Sequence, residues 1–470
     1  MTILRIFLTV AIIAIGAAGV SRSQTNLPDV MGTVLDEAGT AAAQATVILA
    51  NRATNEEQTT KTDAAGEFTF HSVPLGSYKL RAVSHGLISG WVELEVSTVP
   101  VDRIKLRMRR ASAAAKAIPR DQPRPPTGAE GEPNYKTVRV FYATDRTATG
   151  HAEPANFYGS DRDPNETLSL GTCDVSIPRD HRPGELEAPS IWRLEFREDP
   201  AKHVVLLGVY PEKQKGQFYT DLGTAVAASP NREAFVFIHG YKTTFEDAAR
   251  RTGQLAYDLG FNGAPIFYSW PSKGDLTGYS ADEGTIIWTA PHLTAFLQQV
   301  AVQSNAKTVH LIAHSMGNRA LTQALANLAT LPPETPRPHF REIILAAPDI
   351  DRDIFKQLAA AVARNADRVT LYASSHDEAL AASKKLHEFP RAGEAGRSLL
   401  VLKGIDTIDV SSVDSSFLGH SYFGDNTSVI SDIRRLLTLG APPNQRTCLS
   451  EASVLDLAYW VFVRGACTAN

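Results

Sequence analysis

Cysteine is scarce in this chain. Three among 470 residues, at positions 173, 448 and 467, are too few for a disulfide-stapled scaffold, and no Cys or His spacing matches a metal-binding set. An excess of one charge is missing too. Lys and Arg number 47 against 51 Asp and Glu, a formal net charge of −4. That balance provides no basic footprint for nucleic acid and no strong field for steering charged ligands. Beyond the N-terminus no apolar run reaches the roughly 20 residues that cross a bilayer as a helix. No internal repeat is visible.

What is present is ordinary globular composition, 43% hydrophobic and 21% charged, in a chain long enough for two or three domains. Arg5 forms a short positive region, Ile6–Ile15 an apolar one, and Gly16, Ala17, Ala18 and Gly19 are small. This reads as a signal peptide over 1–23, cleaved between Gly19 and Gln24. The competing reading is a retained anchor, for which the run is short. No cysteine follows it, so a lipid-anchor signal is absent. The expectation is export to the periplasm or the extracellular space, with no transmembrane span after cleavage. There Cys448 and Cys467, which bracket the C-terminal tail, could pair, leaving Cys173 odd and buried.

Residues 28–110 alternate apolar and polar positions between glycine-marked turns: MGTVLDEAG, ATVILANRA, GEFTFHSVPLGSYKLRAV and GWVELEVSTV. The pattern predicts a small all-β sandwich of about seven strands. Through GTVLDEAG, ATVIL, TDAAGEFTFHSVPLGSYKL and Gly86 the block resembles the carboxypeptidase regulatory-like domain, a transthyretin-like sandwich. The resemblance implies an accessory, spacing or binding module; an envelope component or a carbohydrate is the candidate ligand of the sandwich. Its residues form no catalytic set. An Ala/Pro-rich linker follows over 111–134.

The pattern then changes. TVRVFYATD (137–145), AFVFIHG (234–240), PIFYSWP (265–271), TVHLIAHS (308–315), EIILAAPD (342–349), RVTLYASSHD (368–377) and SLLVLKGID (398–406) are nearly all-apolar, as strands covered on both faces are. Amphipathic stretches at 244–260 and 289–305 lie between them. The alternation predicts an α/β domain over 135–440 with a mostly parallel sheet and helices on both faces. The tail, 441–470, is expected to hold a short helix at DLAYWVFV.

LIAHSMGNRA (311–320) places Ser315 between a strand and a helix. A nucleophile elbow needs small residues two positions to either side of the serine, because strand and helix otherwise collide. Ala313 and Gly317 meet that need; the plain alternative is that Ser315 only caps the helix. A hydroxyl also needs a base and an orienting acid. Asp377 follows a strand two beyond the elbow, where α/β-hydrolases carry the acid; Asp349, one strand earlier, is the rival. His420, in the loop SSFLGHSYFGD after the last predicted strand, is the candidate base. The N–H of Met316 and that of Tyr241, behind Gly240, are the candidate oxyanion donors. His239 is expected to brace its loop rather than take protons.

On VRVFYATDR, LGTCDVSIPRDHRPGELE, FVFIHGYKTTFEDAARR, YSWPSKG, LIAHSMGN, APDID, YASSHDEAL, IDTIDVS and GHSYF, residues 137–438 resemble a family of exported bacterial α/β-hydrolase-fold proteins. The family lies within the esterase/lipase superfamily and has no assigned function. The resemblance implies the same Ser315, Asp377 and His420 and tolerance of alanine at the first elbow position. The expectation is an exported, carboxylesterase-like serine hydrolase that works through an acyl-enzyme without a cofactor. Only about 20 residues separate Asp349 from Arg368, too few for a large lid, which favours small-molecule or polymer-attached esters. Two alternatives share these residues: a non-catalytic envelope-binding protein acting through the sandwich, and an acyltransferase on the same triad.

Overall fold

The computed structural model describes residues 27–51, 57–84, 87–89, 92–97, 101–110, 133–189, 197–274, 278–332, 334–377, 380, 383–384, 387–412 and 426–463. The expected signal peptide, most of the linker, His420 and Cys467 lie outside the described residues. Two compact units divide the chain, Met1–Thr127 and Gly128–Asn470.

In the first unit, β1 (Val30–Leu35), β2 (Thr46–Asn51), β3 (Glu57–Lys61), β4 (Glu67–Phe70), β5 (Gly76–Ser84), β6 (Leu87–Ser89), β7 (Val92–Val96) and β8 (Val101–Arg110) pair in the order β3-β2-β5-β6-β8-β1-β4, with β7 on β5. Alternating positions of β1 and β4 turn Val30, Val34, Phe68 and Phe70 into a core shared with Val47, Leu49 and Leu80. The all-β expectation holds, with eight strands among the described residues. The stretch GEFTFHSVPLGSYKLRAV forms β4 and β5.

The second unit has β9 (Tyr135–Thr144), β10 (Arg146–Ala148), β11 (Tyr158–Arg162), β12 (Ser169–Pro178), β13 (Val205–Glu212), α1 (Lys215–Ala228), β14 (Glu233–Ile238), α2 (Phe245–Asp258), β15 (Ala264–Ser269), α3 (Tyr279–Gln303), β16 (Thr308–His314), α4 (Gly317–Ala329), β17 (Phe340–Ala346), α5 (Arg352–Arg364), β18 (Ala366–Ala373), β19 (Asp406–Asp409), α6 (Asn426–Leu439), β20 (Leu449–Val454) and β21 (Leu457–Phe462). An 11-stranded sheet runs β13-β12-β9-β15-β14-β16-β17-β18-β19-β21-β20. Its central pairs are parallel, and β12, β13 and β20 pair antiparallel at the edges. β14 is buried at every position. Ala234, Val236 and Ile238 face a core with α1, α3, α4 and α5, and Phe235 and Phe237 face one with α2 and α6. Burial on both faces is why these strands read as unbroken apolar runs.

Two local expectations are corrected. SLLVLKGID is not a strand: Gly404 turns with φ +84° in the left-handed region, Leu402 bridges Ile405, and only Asp406–Asp409 pairs with β18. Leu400 and Ile405 fill the core from a loop, so the run is apolar without being extended. DLAYWVFV is not a helix. Leu455 and Asp456 make a left-handed two-residue turn (φ 49° and 61°) between β20 and β21, and Trp460 and Val461 pair with β19. Aromatic and β-branched side chains suit that half-covered strand. Cys173 is free and buried, and Cys448 is disulfide-bonded.

The loop after β12 is fixed by a buried ion cluster. His181 Nδ1 lies 2.7 Å from Glu187 Oε2 and its Nε2 2.8 Å from Asp258 Oδ1, at the end of α2. Burial alone would lower the imidazole's pKa, but the two carboxylates outweigh it and hold the value up at about 9. The pKa is therefore raised above the unfolded value of about 6.5. The stabilisation is complete below about pH 6.5 and is lost as pH rises through about 9. Thermal unfolding from pH 6 to 10 should show a fall of up to about 3 kcal/mol across that window. His181→Gln should be less stable at pH 6 and lack this dependence.

Candidate functional site

Parallel strands bring their carboxyl ends to one edge of a sheet, where open α/β sheets bind ligands. Tyr241 follows β14, Ser315 follows β16, Asp349 follows β17 and Asp377 follows β18, and these four strands are neighbours in that order. Topology thus places the elbow serine, one candidate oxyanion residue and both candidate acids along one edge. The candidate base, His420, lies outside the described residues, in the chain between β19 and α6.

Ser315 has φ 49°, a left-handed conformation that an L-residue with a side chain rarely adopts. Its backbone N–H and C=O are both hydrogen-bonded. The N–H donates to Ala346 O (3.0 Å), and the carbonyl accepts from Asn318 N (3.1 Å), Asp349 N (3.1 Å) and Asn318 Nδ2 (2.9 Å). The Asn318 side chain, fully buried, also reaches Ala346 O at 3.3 Å, so it ties the elbow to β17. Met316 is the N-cap of α4, and the first N–H groups of a helix have no acceptor within it. Lys242 (φ 56°) and Ala347 (φ 45°) are left-handed as well, so strained residues gather at the ends of β14, β16 and β17.

The small-residue requirement is met as the sequence predicts. A Cβ on Gly317 would lie 2.3 Å from His239 O and 2.8 Å from Ile238 O, both backbone atoms. Ala313 is accommodated within the core of the sheet. A Cβ on Gly240 would lie 2.9 Å from both Ser315 Cβ and His314 Nδ1, so the loop after β14 rests directly on the elbow.

His239 braces that loop, as expected. Its ring stacks on Trp270 at 5.1 Å, its Nδ1 lies 2.8 Å from Gly240 O, and its Nε2 faces Arg146 Nη2 (3.4 Å) and Ser269 Oγ (3.3 Å). Nδ1 carries the proton in this arrangement, since the arginine can only donate to Nε2. Burial, then the charge of Arg146, push its pKa well down, and the neutral ring has no nitrogen left for a substrate proton.

Arg146 is a residue that sequence reasoning missed. It is fully buried and donates from Nη2 to Thr243 O (2.8 Å), from Nη1 to Gly159 O (3.0 Å) and Ser272 O (3.1 Å), and from Nε to Ser269 Oγ (2.9 Å). It therefore joins the loop after β14 to the loop after β15. The signal was the arginine closing VRVFYATDR, an apolar run that had no evident use for a charge.

The two candidate acids differ in their surroundings. Asp349 is buried, and its carboxylate is engaged by Tyr279 Oη (2.7 Å), Ser383 Oγ (2.7 Å) and the guanidinium groups of Arg319 (3.4 Å) and Arg391 (3.5 Å). Arg319 also donates to Asp349 O at 2.6 Å. This carboxylate anchors the segment after β18 behind the elbow. Asp377 is partly exposed and accepts from Leu380 N at 3.0 Å.

An elbow on a central parallel strand, with helices on both sheet faces, matches what the family comparison finds. Residues 214–438 match the family model described as "Alpha/beta hydrolase of unknown function (DUF900)", and residues 29–109 match the carboxypeptidase regulatory-like domain. The chain carries an α/β-hydrolase domain, C-terminal in sequence to a carboxypeptidase regulatory-like domain. No curated protein matches the chain. Among solved structures, a protein of Lactobacillus plantarum WCFS1 described as a cell surface hydrolase is similar over 45% of this chain and 94% of its own, at 13% identity and a TM-score of 0.27. The Bacillus anthracis TIE protein is similar over 27% of this chain and 20% of its own (14% identity, TM-score 0.16). The major pilin subunit of Bacillus cereus is similar over 32% and 37% (12% identity, TM-score 0.15). This chain thus spans about a fifth and about a third of the length of the last two.

The contacts of the α/β-hydrolase elbow predict the effect of adding one methyl group. Gly317→Ala should destabilise the protein by about 1–3 kcal/mol, because backbone must move. Gly240→Ala should displace the loop from Ser315 and lower turnover of an activated ester more than it lowers the melting temperature. Parallel melting curves and ester kinetics distinguish the two effects.

Proposed function

We propose that this α/β-hydrolase is an exported serine esterase. The observation that carries the reading is the strained Ser315 at the head of α4, with Gly240 packed against it. Ser315 Oγ attacks the carbonyl carbon of an ester, and His420 takes the hydroxyl proton and returns it to the leaving alcohol. Asp377 holds the imidazole in the correct tautomer and stabilises its charged form. The N–H groups of Met316 and Tyr241 receive the developing oxyanion. Water, activated by the same imidazole, then releases the acid from the acyl-enzyme.

The reading takes Asp377 over Asp349 because the Asp349 carboxylate already serves Tyr279, Ser383, Arg319 and Arg391. The connection from β17 to β18 contains α5 and little else. No lid is inserted there, which supports small-molecule or polymer-attached esters. The sandwich domain would bind an envelope component or a carbohydrate and keep the enzyme near such a substrate.

Kinetics with p-nitrophenyl butyrate test the assignment. Ser315→Ala should abolish turnover with the fold intact. Asp377→Asn should lower kcat by about 10⁴-fold. Asp349→Asn should instead cost about 3–5 kcal/mol of stability, by breaking a buried charge pair. A wild-type rate in Ser315→Ala would contradict the proposal, and a larger kcat loss at Asp349 than at Asp377 would contradict the choice of acid.

A further inference from the structure

We propose that Asp282 is a positioning residue that aims the Tyr241 N–H by holding the loop after β14 in its strained conformation. The inference rests on the serine-hydrolase reading and adds to it a residue that the reading does not use.

Asp282 lies in the first turn of α3 and is fully buried. Its carboxylate accepts from Ser272 Oγ (2.6 Å) and Lys273 N (2.9 Å), and the Lys242 N–H faces it as well. Ser272 Oγ in turn accepts from Thr243 N (3.3 Å). At the next peptide unit, Arg146 Nη2 donates to Thr243 O. Residues 242 and 243 are therefore gripped by a buried anion on one side and a buried cation on the other.

The grip answers a need. Lys242 has φ 56°, a conformation that costs a residue with a side chain roughly 1–2 kcal/mol. Left alone, it would relax to a right-handed or extended form and rotate the peptide units next to it. Tyr241 is the preceding residue, and Gly240, before that, packs against Ser315 Cβ. A rotation at 242 is thus felt one residue from the proposed oxyanion donor. An acid in the first turn of a helix also has a plainer use, favouring the helix dipole, and the test must separate the two roles.

The experiment compares p-nitrophenyl butyrate turnover and thermal melting of the full chain as wild type, Asp282→Asn and Asp282→Asn/Lys242→Gly. An amide at 282 loses acceptor capacity, so kcat should fall about 10–100-fold with KM within about twofold. Glycine adopts φ above zero without steric cost, so the double variant should recover about tenfold of that loss. A dipole role predicts lower stability and no relief from Lys242→Gly. Wild-type kcat in Asp282→Asn, or a loss that Lys242→Gly leaves unchanged, would overturn the inference. Should Asp282→Asn fail to fold, Ser272→Ala removes the hydroxyl between the carboxylate and Thr243 N, and an unchanged kcat there is equally fatal. Absence of turnover in the wild type would remove the esterase reading and this inference with it.

Discussion

The contact between Gly240 and the elbow is the constraint on which the site depends. Two backbone segments from neighbouring strands, β14 and β16, meet with no room for a side chain on Gly240 or on Gly317. That meeting presses the loop after β14 onto Ser315 and the start of α4, and it holds a serine with φ 49° in place. Neither segment would keep this shape alone, since a left-handed residue persists only where its surroundings over-determine it.

Buried polar groups provide that over-determination. Arg146, His239, Asp282, Asn318 and Asp349 are all buried, and each is hydrogen-bonded to the loops at the carboxyl ends of the strands. Apolar packing on the two sheet faces fixes where the strands lie. It lacks the direction needed to fix the orientation of single peptide units, which hydrogen bonds to charged groups supply. The arrangement holds the strained residues at the ends of β14, β16 and β17 in place, the kind of preorganisation that the proposed acyl transfer would use.

Much of the frame was legible in the sequence because burial on both faces leaves a plain trace. β14, β15 and β16 read as unbroken apolar runs and lie where those runs are. The elbow was legible for a steric reason, through Ala313 and Gly317. SLLVLKGID misled because a loop that fills a core is as apolar as a strand, and Gly404 alone marked the turn. DLAYWVFV misled because its turn residues, Leu455 and Asp456, are not the usual Asn-Gly. The bracing residues were hidden for another reason: Arg146 and Thr243, or Asp349 and Ser383, meet across long stretches of chain, and no local pattern announces such a pair. The same contacts bear on the choice between Asp349 and Asp377, which strand counting alone had left to order in the fold.

The central claim is that Ser315 is an activated nucleophile. The most direct measurement is the intact mass of the purified protein after treatment with a fluorophosphonate, followed by peptide mapping. The account predicts one phosphonyl adduct, carried by the peptide containing Ser315 and absent from heat-unfolded protein. A folded protein that remains unmodified, or an adduct on a different residue, would contradict it.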